Sequence, residues 1–359
     1  MARNTIMNPL HRLSSLLPVL ALAFLLNPMR TSAESARMPA GDLRLSGLAD
    51  LKPHPSNSKT YNEFWTYHIV LDGNILAYLN FSRVNLGSFK PPVCGADFNL
   101  LGFKGRNYSV AREYDKKNFQ FTDADQKLQV HENIWFSGKL PETHHVYFST
   151  RKKDVSYFLD LEFTEIIPGR VWGDGMFRLG SQTVGVFMHI PQAKVTGRLS
   201  INGDTVKVSG RAYMDHTFQT DLAPELVDAG YRYVSQNGSM EVGYLMDPVS
   251  KYGEQPIGYG LRMQGGAVTL LKPQSMTALT ATRALGVRIP GRLEITYTDG
   301  SKTLLERGTD RLAQSTLHEF SGTEKFFIKR FMGGEIMTFR GLGTLNASTP
   351  IAYNYFIVD

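Results

Sequence analysis

Val155, Tyr157, Leu159, Leu161 and Phe163 alternate with Ser156, Phe158, Asp160 and Glu162. A period of two sends one set to a buried face and both carboxylates to the other, which is the habit of a half-buried strand. The same reading covers 64–71, 75–82, 106–114, 144–150, 183–190, 193–201, 204–213, 231–236, 240–246, 257–264, 267–272, 292–298, 302–307, 326–331, 335–340 and 353–358. Asp72-Gly73, Asn202-Gly203, Asn237-Gly238, Gly265-Gly266, Asp299-Gly300 and Gly333-Gly334 fall between such runs. These dipeptides suit hairpin turns that need positive φ, so the chain is predicted to be an antiparallel meander. Helical periodicity is confined to Leu222–Ala229 and Ser275–Leu285.

An array of this length has to hide its edges, which favours closed or nearly closed barrels over an open sheet. At roughly eight strands per barrel, about sixteen strands make two barrels, with a pair of sandwiches as the alternative. The predicted fold is therefore all-β, two tandem antiparallel barrels with few short helices. An echo supports two related halves. Trp65 to Gly73 and Tyr231 to Gly238 each run an aromatic strand into a turn, followed by strands bearing Tyr78 and Tyr244. The expected division is a leader at 1–33, a first barrel at 34–213 and a second at 214–359.

Composition narrows the function. The chain has 359 residues, is 42% hydrophobic and holds a single cysteine, Cys94, so disulfide frameworks and Cys-based metal clusters are excluded. Residues 1–33 carry Arg3, Arg12 and Arg30 and no acid; without them 36 basic residues face 33 acidic ones, too even a balance for a nucleic-acid binder. The apolar run Leu13–Leu26 follows two arginines and precedes Thr31-Ser32-Ala33, which reads as an export signal cleaved near Ala33. The expected location is periplasmic or secreted, with no transmembrane segment in the mature chain.

The most informative stretch runs from Ile190 to His216 as a hairpin ending in Tyr213-Met214-Asp215-His216. Alternation puts Tyr213 and Asp215 on one face and Met214 and His216 on the other. A tyrosine beside a carboxylate can bind a polar ligand group or donate a proton if burial raises the acid's pKa; alternatively Asp215 caps a turn and His216 serves a carbonyl. The spacing Pro-x-x-x-Val-x-Gly-x-Leu from Pro191, followed by Val-x-Gly-x-x-Tyr-x-Asp-His ending at His216, resembles the signature of the AttH/CrtC-like (hydroxyneurosporene synthase) family. Glu63-Phe64-Trp65-Thr66-Tyr67 resembles that family's first-strand motif. The resemblance implies two lipocalin-like barrels, as in the related survival-factor ceramide carriers and lipocalin-like Diels–Alderases. It also implies, for carotenoid hydratases, an acid matched by Asp215, assisted by Tyr213 and by a histidine matched by His189. Pro191 stands where the family has a tryptophan after that histidine, and Phe218-Gln219 where it has an aromatic followed by glycine.

Other constellations carry less. His144 and His145 are adjacent on a strand and point apart, so they cannot chelate one metal. Gly173 to Gly180 lacks the Lys-Ser/Thr and helix of a phosphate loop, and no Gly-x-Ser-x-Gly elbow occurs. Arg151-Lys152-Lys153 reads as a solvated loop and Cys94 as a buried small residue. Trp135 and Trp172 read as core, whereas Trp65 shares a strand face with Glu63 and Tyr67. Three classes follow. The first is an exported carrier of an apolar ligand (lipid, isoprenoid or sphingolipid) held in a barrel cavity by Glu63, Trp65, Tyr67, Tyr213 and His216, with transient membrane-surface contact. The second is an enzyme of the same pocket using Asp215, Tyr213 and His189. The third is an envelope assembly protein with filled barrels. Neither a cofactor nor a metal is called for.

Overall fold

The computed structural model describes residues 35–359 apart from 55, 57, 89, 236–239 and 319–321. The expected export signal and the Asn237-Gly238 turn lie outside the described residues. The first sheet contains β1 (Leu43–Leu45), β2 (Thr60–Leu71), β3 (Ile75–Leu86), β4 (Val93–Phe103), β5 (Arg106–Asp115), β6 (Gln120–Thr122) and β7 (Lys127–His131). It continues through β8 (Ile134–Lys139), β9 (Thr143–Lys152), β10 (Val155–Thr164), β11 (Arg170–Trp172), β12 (Met176–Leu179), β13 (Gln182–Ile201) and β14 (Asp204–Gln219). The second sheet holds β15 (Val227–Ser235), β16 (Glu241–Pro248), β17 (Ile257–Gln264), β18 (Ala267–Leu271) and β19 (Pro273–Ala284). It is completed by β20 (Val287–Tyr297), β21 (Lys302–Ser315), β22 (Ile336–Leu345) and β23 (Thr349–Val358). Helices are few: α1 (Leu48–Leu51), α2 (Ala223–Leu226) and α3 (Gly322–Met332).

Every pairing is antiparallel, and both sheets share one plan. The first runs β5-β4-β3-β2-β14-β13-β10-β9-β8-β7-β6 and the second β18-β17-β16-β15-β23-β22-β21-β20-β19. In each, the opening aromatic strand lies between its hairpin partner and the strand that closes the unit, and these opening strands are the two segments of the sequence echo. The chain passes between sheets from Gln219 to Val227 through α2, so the strand bearing Tyr213 runs on beyond it. Asn202 and Gly203 take φ of 53° and 83°, and Gly265 and Gly266 take 58° and 82°, as tight hairpins require.

Three expectations are corrected. Ser275–Leu285 is not a helix: Pro273–Ala284 is a strand paired with β20. Its threonines favour extended backbone, and most of its side chains are solvated, so no buried face writes an alternation into it. Residues 326–331 belong to α3, and Gly333, at φ 76°, stands just past the helix end rather than in a hairpin. The runs 183–190 and 193–201 form one strand of 20 residues, β13, interrupted in register at Met188/Ile190 and Ile190/Ala193. Pro191 has no N–H to give the ladder, so the strand bulges there instead of ending.

Among the described residues the first barrel is packed by its own side chains where an apolar hollow is expected. Tyr67 meets Phe81, Phe136 and Phe163 edge-on, each at 6.0 Å, and Phe98 lies 5.1 Å from Phe148. A second cluster, with Tyr231, Tyr297, Phe339 and Tyr353, is built from strands of the second sheet. A third, including Tyr213, Met188, Tyr244 and Tyr259, joins the two sheets.

Candidate functional site

The alternation on β14 holds in three dimensions and divides the sequence-selected residues. Glu63, Trp65, Tyr67 and His216 gather on the inner face of the first barrel, with His189 from the β13 bulge beside them. Tyr213 and Asp215 turn outward to the second sheet. The structure thus brings together four of the five proposed ligand contacts and separates His189 from Asp215 and Tyr213.

The inner group is a buried acid–base array. His216 donates from Nδ1 to the Asp50 carbonyl at 2.7 Å, and its Nε2 lies 3.0 Å from Glu63 Oε1. With Nδ1 committed to a carbonyl, that second contact must hold a proton between ring and carboxylate. Burial alone would raise the Glu63 pKa, but hydrogen bonds from His216 and then from His54 outweigh it and bring the carboxyl to about 2. The Trp65 indole stacks on His216 at 4.3 Å and 12° and donates to the Leu51 carbonyl at 2.9 Å. Tyr67 contacts His144 Nε2 at 2.8 Å, and burial pushes that histidine down to about 3, so it stays neutral.

The donor atoms of His54, Glu63 and His216 lie within 4.8 Å of one another. A cation there would have to displace the shared proton, and Arg83 already brings positive charge to 3.7 Å from Glu63 Oε2. The charges fit a closed ion-pair network better than a metal centre.

Residues 43–52 form a strap over this end of the barrel. A fork from Arg44 to Asp50 (2.7 and 2.6 Å) and the Gly47 amide on Asp50 Oδ2 (2.8 Å) fix it. The strap sets the carbonyl that orients His216 and places Ser46 Oγ 2.5 Å from His189 Nδ1. Burial, then repulsion from His216, pushes His189 down to about 3, and its Nε2 is buried without a partner. His189 lines a hollow of about 180 Å3 walled by Leu45, Leu48, Leu51, Leu140, Pro141 and Pro168. Nothing in the sequence periodicity marks Ser46, Asp50 or His54, because the three-residue β1 and the four-residue α1 are too short to write a period and His54 lies just beyond them.

The outer group is an ion pair between the sheets. Arg232 of β15 donates to Asp215 from Nε at 2.6 Å and from Nη2 at 3.2 Å, and Tyr213 Oη donates to Asp215 Oδ2 at 2.7 Å. All three are buried, and the guanidinium sits 3.8 Å from the Tyr244 ring centroid. Burial raises the Asp215 pKa while Arg232 and Tyr213 act against it. His68, wedged against Tyr78 and Tyr213, has no partner at either ring nitrogen, and burial holds it well below the usual histidine range. Arg232 was invisible to the sequence reading, since it lies on the other sheet.

A larger groove, about 730 Å3, opens at the barrel end away from the strap, and a third hollow of about 270 Å3 lies between β4 and β5 on one sheet and β21 and β22 on the other. No helix among the described residues is long and apolar enough to cross a membrane.

No known protein-family profile and no curated protein matches the sequence. Solved structures do match the fold. An AttH-named protein of Nitrosomonas europaea superposes with a TM-score of 0.59 at 13% identity, over 88% of this chain and 97% of the other. CghA, solved with Sch210972, gives 0.55 at 14% identity over 90% and 98%. Kievitone hydratase of Nectria haematococca gives 0.50 at 12% identity over 90% and 96%. The fold implied by the Glu63–Tyr67 and Pro191–His216 resemblance is the fold found.

Proposed function

We propose that this chain is a small-molecule-binding protein that takes a compact apolar ligand into the hollow over His189. One observation carries the reading: a fully buried histidine with an unpartnered nitrogen lines a pocket walled by leucine and proline. Mostly apolar walls with a few polar groups, here His189, Ser46 and Gln126, are the usual composition of such sites. The packed barrel interior favours a compact ligand over a long lipid chain. The test is extraction of the natively purified protein followed by mass spectrometry. A stoichiometric apolar molecule is expected from the wild type and not from Leu48→Trp, whose indole fills the hollow. Its recovery from both, or from neither after exposure to a panel of isoprenoids and aromatics, refutes the proposal.

A second reading, catalysis, is favoured by the state of His189. A histidine kept neutral by burial polarises a substrate through a hydrogen bond rather than a charge. Asp215 has both oxygens engaged by Arg232 and Tyr213, so the chemistry of this reading centres on His189 and the Ser46 hydroxyl. The name of kievitone hydratase, on the same fold, suits addition of water as the reaction class. His189→Asn would then abolish turnover while leaving ligand retention within a few-fold. Export of the chain belongs to the same proposal, and N-terminal sequencing of the mature protein tests it: a start near residue 34 is expected, and a retained Met1 counts against it.

A further inference from the structure

We propose that the 730 Å3 groove at the far end of the first barrel is a second binding site, for a flat-ringed organic anion. In an antiparallel meander successive turns alternate between the two ends. The groove is lined from the β7–β8, β9–β10 and β13–β14 turns and from β5, whereas the hollow over His189 is reached from the β8–β9 turn. The two sites are therefore separate, and neither depends on the other.

Charge and shape specify the ligand. Arg112, Arg151 and Arg198 line the groove, and no carboxylate does. Arg198 is engaged by Asp160 at 2.7 Å. The guanidiniums of Arg112 and Arg151 make no hydrogen bond or ion pair among the described residues, and Arg112 Nε is buried without any partner. A buried, unsatisfied guanidinium N–H is costly and uncommon, and a carboxylate or phosphate oxygen is its natural complement. Tyr114 stacks on His131 at 4.8 Å and 24°, and Tyr157 and Phe158 supply further ring surface. His131 Nδ1 accepts from the Asn133 amide at 3.2 Å, which leaves the proton on Nε2 as one more donor. Hydroxyls of Ser149, Thr150, Ser156 and Thr205 complete the rim.

The experiment titrates 2-naphthoate, 2-naphthyl phosphate and neutral 2-naphthamide into the full-length protein by calorimetry. Both anions, or one of them, bind on the order of tenfold or more tightly than the amide, and added salt weakens them. Which anion binds better identifies the head group. Arg112→Gln weakens anion binding on the order of tenfold or more and changes the melting temperature little, because its Nε has no hydrogen bond to lose and its guanidinium only reaches the Tyr114 ring at 5.9 Å. Arg112→Lys restores only part of the affinity, since an ammonium lacks the planar fork. Leu48→Trp leaves naphthoate binding intact. Equal affinity for anions and amide, or wild-type anion binding by Arg112→Gln, overturns the proposal. So does an Arg112→Gln that melts early yet binds anions normally, because it assigns the arginine to structure.

Discussion

Replacing Asp215 by asparagine tests whether the Asp215–Arg232 pair joins the two sheets or serves chemistry. Removing one partner of a buried ion pair typically costs about 3–5 kcal/mol, because the other charge is left uncompensated. Here two contacts survive. Arg232 keeps the face of Tyr244 at 3.8 Å, a desolvated cation–π contact of about 2 kcal/mol, and the amide oxygen still accepts a neutral hydrogen bond of about 1 kcal/mol. These contacts exist already in the wild type, so they soften the loss without cancelling it, and a destabilisation of about 2–3 kcal/mol is expected. Urea unfolding at neutral pH measures it as a shift in midpoint at constant slope. Arg232→Met should cost as much or more, and the double variant less than the sum, with a coupling of about 2 kcal/mol. Asp215→Asn within about 0.5 kcal/mol of wild type, or an additive cycle, would refute a structural role and return Asp215 to the list of proton donors.

Acid should destabilise the protein in two stages. His144 and His189 sit near 3 when folded against a usual 6.5, so the unfolded chain binds protons first and stability falls as pH drops below about 6.5. Glu63, at about 2 against 4.5, adds a further loss as pH falls from about 4.5 toward 2. Urea midpoints across this range check both stages, and His189→Asn should flatten the first; stability that rises between pH 6.5 and 5 contradicts the assignment. Gly197→Ala should unzip β10 from β13, because the added methyl would lie 1.9 Å from the Asp160 carbonyl oxygen. A loss above about 2 kcal/mol by the same assay is expected, and a neutral substitution would show that the pairing yields easily.

Where one face of a strand is buried and the other more exposed, as at Val155–Phe163, the sequence is readable; at Tyr213–His216 both faces are buried, yet the alternation still separates the two pairs. β4 escaped notice although it alternates, because Cys94 and Ala96 on its inner face are small and weigh little beside Leu100 and Leu101. β19 was misread because an exposed edge strand has no buried face to record. In α3, Phe326, Phe327 and Phe331 suggested extended backbone, yet all three are solvent-exposed and Ile328 is the buried apolar residue. The site was half legible. Residues on paired strands could be grouped by face, but the strap that brings Ser46 and Asp50 to the histidines, and the arginine arriving from the second sheet, depend on tertiary packing with no local periodic trace.

Because each opening strand is flanked by the strand that ends its unit, neither barrel can finish assembling until its last hairpin exists. The Glu63–His216 contact spans 153 positions, so β2 waits with one ladder edge unpaired while the intervening chain is made or delivered. Such long-separation pairing carries a large loop-closure entropy and predicts slow folding. During that delay the protein is most exposed to wrong partners, and transient protection of the β2 edge would do more for its yield than any gain in final stability.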